Sequence, residues 1–182
     1  MGRPKATLPW GEDDTFVSSE LRAMGEAGLT PLVLVCGVHA EETRAAIPHD
    51  LGVTVVQNPE PERGQLSSLK IALRSLDAET DLTGALVALV DHPAIRASTL
   101  SALIEAVAEN EIVIPLWNGK RGHPVIFGRG LWPEIFRAPD EAGARPVVRR
   151  DPRRVRQIDV DDPGVLVDID TPDDLRAARN RD

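Results

Sequence analysis

The chain has 182 residues, 42% of them hydrophobic, which suits one domain with a full core and leaves little room for two. Its 29 acidic against 21 basic residues give a net charge of -8, which argues against a broad surface for nucleic acid or anionic membrane while leaving room for a local basic pocket. One cysteine excludes an intrachain disulfide and a Cys-rich zinc site, no apolar run approaches the ~18 residues of a membrane span, and no apolar secretory core opens the chain, so a cytoplasmic protein is expected.

Met1 to Gly11 is polar and punctuated by Pro4, Pro9 and Gly11, which predicts a loop. Phe16, Val17, Leu21, Met24 and Ala27 recur at helical spacing and predict a helix over Phe16–Ala27, closed by Gly28. Leu32 to Gly37 reads as a buried strand, with Cys36 a buried structural thiol. Ala40 to Ile47 reads as a short helix stopped by Pro48, and Val53 to Gln57 as the next strand. This alternation predicts a parallel sheet with helices on both faces. Asn58 to Gln65 is a loop carrying two prolines and Gly64. Leu66 to Leu76 then places Leu69, Leu73 and Leu76 on one helical face.

The stretch Gly84 to Pro93 is central. Its unbroken apolar run predicts a strand over Ala85–Val90 covered on both faces, and Pro93 cannot donate to a ladder. Asp91 therefore stands at the carboxyl end of a central strand, where open α/β sheets bind ligands. The plain alternative, an acid that opens a loop or caps the next helix, weighs equally on these residues alone. Ser98 to Ala108 predicts a helix with Ser98 as N-cap. Ile112–Pro115 is a short strand, Trp117–Gly122 a turn, and Pro124–Phe127 a further strand. Leu131–Phe136 predicts a short helix; Ala144–Arg150 is ambiguous and assigned as helix. Val155–Val160 and Val165–Ile169 read as strands, and Thr171-Pro172-Asp173-Asp174 opens the last helix with Thr171 as N-cap.

Four clusters could carry chemistry. Lys5, on a loop shaped by Gly2 and Pro4, could hold a phosphate as a point charge, or simply be solvated. Gly64-Gln65-Leu66-Ser67-Ser68 offers a close backbone approach, amides and hydroxyls at a helix start, or an ordinary capped helix. Asp91 with Asp168 and Asp170 offers oxygen ligands for Mg²⁺, against a reading of the last two as helix-cap acids. Asp168 and Asp170 alternate with Ile169, so in a strand both face one side. Gly119-Lys120-Arg121-Gly122-His123-Pro124 could present Arg121 and His123 to an anionic co-substrate, or be a charged hairpin turn. For His92 and His123 a positioning hydrogen bond is at least as good a reading as a catalytic one.

In combination and order, Met1-Gly2-Arg3-Pro4-Lys5-Ala6-Thr7-Leu8-Pro9-Trp10, Gly64-Gln65-Leu66-Ser67-Ser68-Leu69, Val90-Asp91-His92-Pro93, Arg121-Gly122-His123-Pro124-Val125 and Asp168-Ile169-Asp170-Thr171-Pro172-Asp173-Asp174 resemble the MobA-like nucleotidyltransferases, and within them the molybdenum cofactor cytidylyltransferase branch. The resemblance implies an α/β, Rossmann-like three-layer sandwich of the nucleotide-diphospho-sugar transferase type, with a mostly parallel central sheet and a single domain over 1–182. It implies transfer of a nucleotidyl group, with CTP favoured over GTP, from an NTP to a phosphorylated acceptor of molybdopterin type, releasing pyrophosphate. It implies Lys5 on the NTP phosphates, Gly64, Ser67 and Ser68 near base and sugar, and Asp91 with Asp168 or Asp170 on Mg²⁺. His123 and Arg121 fall on the co-substrate side, and a molybdoenzyme is the partner such a product would serve. Transfer to another phosphate acceptor, and a non-catalytic module that binds and delivers a nucleotide or cofactor, are the alternatives. Members of the family also begin with an apolar strand and a Leu-Ala-Ala-Gly-x-Ser-type loop. Neither stands before Met1-Gly2-Arg3-Pro4-Lys5 here, so the expectation is a truncated N-terminus and exposed edges on the neighbouring strands.

Overall fold

A computed structural model describes residues 4–109 and 111–179. Met1, Gly2 and Arg3, which belong to the first motif, lie outside them. The chain begins with a 3₁₀ turn over Lys5–Thr7 and a small hairpin, β1 (Pro9–Trp10) and β2 (Asp14–Thr15), where a plain loop is expected. Thr15 caps α1 (Phe16–Glu26) through a reciprocal bond with Ser18. Then follow β3 (Leu32–Cys36), α2 (Ala40–Ala45), β4 (Val53–Gln57), α3 (Gln65–Ser75), β5 (Gly84–Val87) and α4 (Ala97–Ala106). The chain continues through β6 (Ile112–Trp117), β7 (Lys120–Arg121), β8 (Val125–Gly128), α5 (Trp132–Arg137), α6 (Arg145–Arg150), β9 (Val155–Asp159) and α7 (Pro172–Arg179).

The main sheet is organised on β6. It pairs in parallel with β9 on one side and antiparallel with β7 and β8 on the other, and β8 pairs antiparallel with β5. Alternation along these strands fills both faces. Ile112, Ile114 and Phe127 meet Leu66, Leu69 and Leu73 of α3, Trp132 and Ile135 of α5 and Val147 of α6. Val113, Ile126 and Leu86 meet Leu103 and Ala106 of α4. Leu73, Ile112, Ile135 and Leu103 are fully buried, and each such side chain contributes about 1.5–3 kcal/mol. The three-layer α/β architecture is thus the expected one. The sheet is mixed rather than mostly parallel, because β8 follows β6 after a turn too short for a crossover. Asn118 and Gly119 supply the positive φ values (49° and 73°) that the tight β6–β7 hairpin needs.

β3 and β4 form a separate parallel pair, covered by Val17 and Leu21 of α1. Among the described residues, neither β3 nor β5 has a strand on its other side. Val90 lies between the two halves and packs against Phe16 and Ile169 on one side and the α1–β3 cluster on the other.

Three expected features differ. The strand before Asp91 ends at Val87, since its partner β8 begins at Val125, just after a proline with no N–H to extend the ladder. Val165–Ile169 is not a strand: Asp162 and Pro163 start a 3₁₀ turn over Pro163–Leu166 instead. Ser98 is not an N-cap, because α4 starts one residue earlier and its end is held by a distant carboxylate, Asp162. Thr171 does cap α7, exchanging bonds with Asp174.

Candidate active site

Beyond β5 the chain leaves the ladder, and a turn closed by the His92 N–H on Leu89 O (2.9 Å) sets Asp91 and His92 side by side. The Ile169 N–H donates to Asp91 O (3.0 Å). Ile169 itself is fully buried beside Phe16 and Ala178. That anchor fixes Asp168 and Asp170 on either side of it, with no strand needed. The 3₁₀ turn at Lys5 is tied to α1 through Phe16 N–H on Leu8 O (2.9 Å). It brings the Lys5 ammonium to Asp91 Oδ2 at 3.4 Å and into contact with Asp170 Oδ1. His123 arrives from the other direction: its N–H donates to Val165 O (2.8 Å), and its ring centroid lies 5.1 Å from that of His92. A Cβ on Gly122 would stand 2.3 Å from Val165 O, so this crossing requires glycine.

Four segments far apart in sequence thus converge on one cation and three acids. Burial alone would pull the Lys5 pKa down, but the hydrogen bond to Asp170 and the charges of Asp91 and Asp170 outweigh it and raise it. Burial, with Asp91 and Asp170 nearby, raises Asp168. Burial and then His92 lower the His123 pKa and favour its neutral ring, against the pull of Asp91. Glu20, one helical turn beyond Phe16, is pushed well above the ordinary carboxyl range by burial and by Asp91.

Asp91 Oδ1, His92 Nδ1, His123 Nδ1 and Glu20 Oε1 are all sealed from solvent and have no hydrogen-bond partner among the described residues. Buried polar atoms are nearly always satisfied, so a group of unsatisfied ones marks where a ligand completes the structure. One ligand atom from each of Asp91, His92 and Asp168 lies within 4.8 Å of the others. Carboxylate oxygens with an imidazole suit a divalent metal ion, so the residues present fit such an ion.

The second cluster sits at the start of α3. Gly64 adopts φ 94°, its carbonyl accepts from Ser67 Oγ (2.8 Å), and the buried Asn58 amide donates to Ser67 Oγ and Ser68 Oγ at 2.9 and 3.0 Å. Asn58 also accepts the Glu60 N–H, which shapes the approach to Gly64. Among the described residues no hydrogen bond joins this cluster to the acids. Arg121 is also separate: it lies on exposed β7 and donates to Gln157. The arginine-walled depression around Glu134, Arg137, Arg150, Asp151, Arg153 and Arg154 shares no residue with either cluster, and its acids are already matched with arginines.

Sequence reasoning missed Asn58 and Glu20. Glu20 carries a legible signal, since it falls four residues after Phe16 on an otherwise apolar face. Asn58 carries none, because a loop asparagine usually serves its own turn.

A sequence profile described as the MobA-like NTP transferase domain matches residues 1–156. The chain is 23% identical over 186 residues to the molybdenum cofactor cytidylyltransferase of Escherichia coli K12, covering 100% of this chain and 90% of that protein. It is 32% identical to Rv0371C of Mycobacterium tuberculosis H37Rv, crystallised as a complex with manganese, with a TM-score of 0.80 over 97% of this chain and 92% of that one. The 2-C-methyl-D-erythritol 4-phosphate cytidylyltransferase of Thermus thermophilus, 19% identical, shares the fold with a TM-score of 0.66 over 98% of this chain and 93% of its own.

Proposed function

Because the chain belongs to the MobA-like NTP transferase family, we propose that it moves a nucleotidyl group, CMP from CTP, onto the phosphate of a molybdopterin-type acceptor. The observation that carries this reading is the convergence of Lys5, Asp91, Asp168 and Asp170 beside the buried His92 and the half-buried His123. An acceptor phosphate oxygen attacks the α-phosphorus, the bond to the β-phosphate oxygen breaks, and pyrophosphate leaves as a new phosphoanhydride forms. The nucleophile is already ionised near neutral pH, so no general base is required. The task is to hold two anions together in line.

Lys5 would place its charge against the NTP phosphates, exchanging its contacts with Asp91 and Asp170 for them. Asp91, Asp168 and Asp170 are the proposed carboxylates for a divalent ion of the Mg²⁺ or Mn²⁺ class, which when bound would offset charge on the α-phosphate and the leaving group. Gly64, Ser67 and Ser68 would meet the base and sugar, with Asn58 orienting the hydroxyls. His123, and Arg121 on the neighbouring strand, would face the acceptor. A reaction fed by NTP fits the cytoplasm, with a molybdoenzyme receiving the product. The E. coli relative supports CTP and the molybdopterin-type acceptor.

Pyrophosphate release across CTP, GTP, ATP and UTP, with Mg²⁺ or Mn²⁺ and a panel of phosphorylated acceptors, tests the reading. Release with CTP that requires a molybdopterin-type acceptor is expected. Release with a different acceptor would keep the transferase and replace the substrate. Nucleotide binding without release under any condition would make the protein a delivery module instead.

A further inference from the structure

His92 is the residue that the reading above leaves without work. It is 6% exposed, yet neither of its ring nitrogens makes a hydrogen bond among the described residues. Nδ1 is sealed from solvent, and Nε2 stands 3.9 Å from Asp91 Oδ1, itself a sealed and unpartnered oxygen. A histidine that only fills a core normally bonds both nitrogens. Nor does this one cap a helix, since α4 begins at Ala97. The neighbouring His123 ring is tilted by 48° at 5.1 Å and takes up neither nitrogen.

We propose that His92 is itself a metal ligand, its Nε2 joining one oxygen each from Asp91 and Asp168, and that this nitrogen-bearing set holds Mn²⁺ in preference to Mg²⁺. The inference rests on the reading of the acids as the metal site and adds to it the third donor and the selectivity. Donors on one ion, each ~2.1 Å from it, lie about 3–4 Å apart. The 3.9 Å between His92 Nε2 and Asp91 Oδ1 falls in that range, and all three groups lie within 4.8 Å. The donor types decide the selectivity. Mg²⁺ is a hard ion that takes oxygen ligands and sheds water reluctantly, so an imidazole adds little to its binding. Imidazole suits the later first-row ions best; Mn²⁺, at the weak end of that series, still gains more from a nitrogen donor than Mg²⁺ does, which makes it the most demanding test. His123 supports the arrangement from behind: its N–H to Val165 O holds it against His92 and limits the swing of that ring.

The test is metal binding to the full chain without nucleotide. Free Mn²⁺ is followed by electron paramagnetic resonance, Mg²⁺ is added as competitor, and nitrogen coupling to bound Mn²⁺ is read by electron spin echo modulation with ¹⁴N- or ¹⁵N-histidine. The wild type should bind Mn²⁺ at least about tenfold tighter than Mg²⁺, with a nitrogen coupling that changes with the histidine label. His92→Asn should lose the coupling and most of the preference while Mg²⁺ binding stays close to wild type, and His123→Asn should keep the coupling. Absence of a histidine coupling in the wild type overturns the inference, as does a coupling that survives His92→Asn or vanishes only in His123→Asn. The wild-type measurement decides even if His92→Asn fails to fold. Asp91→Asn separates the two levels. If it binds Mn²⁺ as wild type does, the metal site is not at these acids and the underlying reading fails. If it abolishes binding while wild type shows no histidine coupling, only the role of His92 fails.

Discussion

Asp162 offers the sharpest test of how the site is held. It is 2% exposed and accepts three hydrogen bonds: Oδ1 from Gly164 N (2.9 Å), and Oδ2 from Arg96 N (3.0 Å) and Thr99 Oγ1 (2.7 Å). The carboxylate thereby ties the start of α4 to the 3₁₀ turn whose Val165 carbonyl receives the His123 N–H. Asp162→Ala leaves three donors unpaired in a closed site. A bond to a charged acceptor contributes about 1.5–3 kcal/mol, and the three share one acceptor and are not additive, so a loss of about 4 kcal/mol is expected. Thr99→Val removes one donor and leaves the other two bonds, for about 1–2 kcal/mol. Urea unfolding followed by tryptophan fluorescence measures both. With a slope of about 2 kcal/mol per M, the Asp162→Ala midpoint should fall by about 2 M. A cost within about 1 kcal/mol of wild type, or a Thr99→Val cost as large as that of Asp162→Ala, would refute the shared-anchor reasoning.

Asp91→Asn should lower turnover by about 10²–10³-fold with an unchanged melting temperature; near-normal turnover would remove Asp91 from the chemistry. Gly122→Ala drives a methyl to 2.3 Å from Val165 O, and a loss of about 1–3 kcal/mol in thermal unfolding should accompany a displaced His123, seen in its imidazole NMR shifts. Glu20 holds its proton more tightly folded than unfolded, because burial and Asp91 raise its pKa. Wild-type stability should therefore fall as pH rises from about 4.5 through that raised value, and Glu20→Gln should flatten this limb; an unchanged pH profile would contradict the raised value. His123 has the opposite slope: burial lowers its folded pKa, so stability should be lost as pH falls below about 6.5. His123→Gln should remove that dependence in pH-resolved urea titrations.

The periodic segments were readable because their burial follows a single period. Leu69 and Leu73 in α3, and the alternation of Ile112, Val113 and Ile114 in β6, report directly which face is covered. The site acids were readable as residues but not as an arrangement. Asp168 and Asp170 do reach the cluster, yet through the buried Ile169 and its N–H on Asp91 O rather than through a strand. Such a bond spans 78 positions and leaves no local trace. The same holds for Asp162, whose partners Arg96 and Thr99 lie more than 60 residues away. Ser98 looks like a cap by composition, but a cap supplied from elsewhere in the chain overrides local preference.

The absence of a shared ladder between the β3–β4 pair and the β6 sheet, among the described residues, has a dynamic consequence. The halves meet through side chains such as Val90 and through α3, which packs on β3 while its leucines fill the core against β6. Lys5 rides on the turn that packs against α1 and α2, while the acids it touches are held through Ile169, which is buried against Phe16 of α1. A ligand that engages Lys5 and the acids together would therefore tighten the packing on α1 from two sides, and with it the strands that α1 covers. Amide exchange in β3 and β4 should slow on binding, even though those strands do not border the acids.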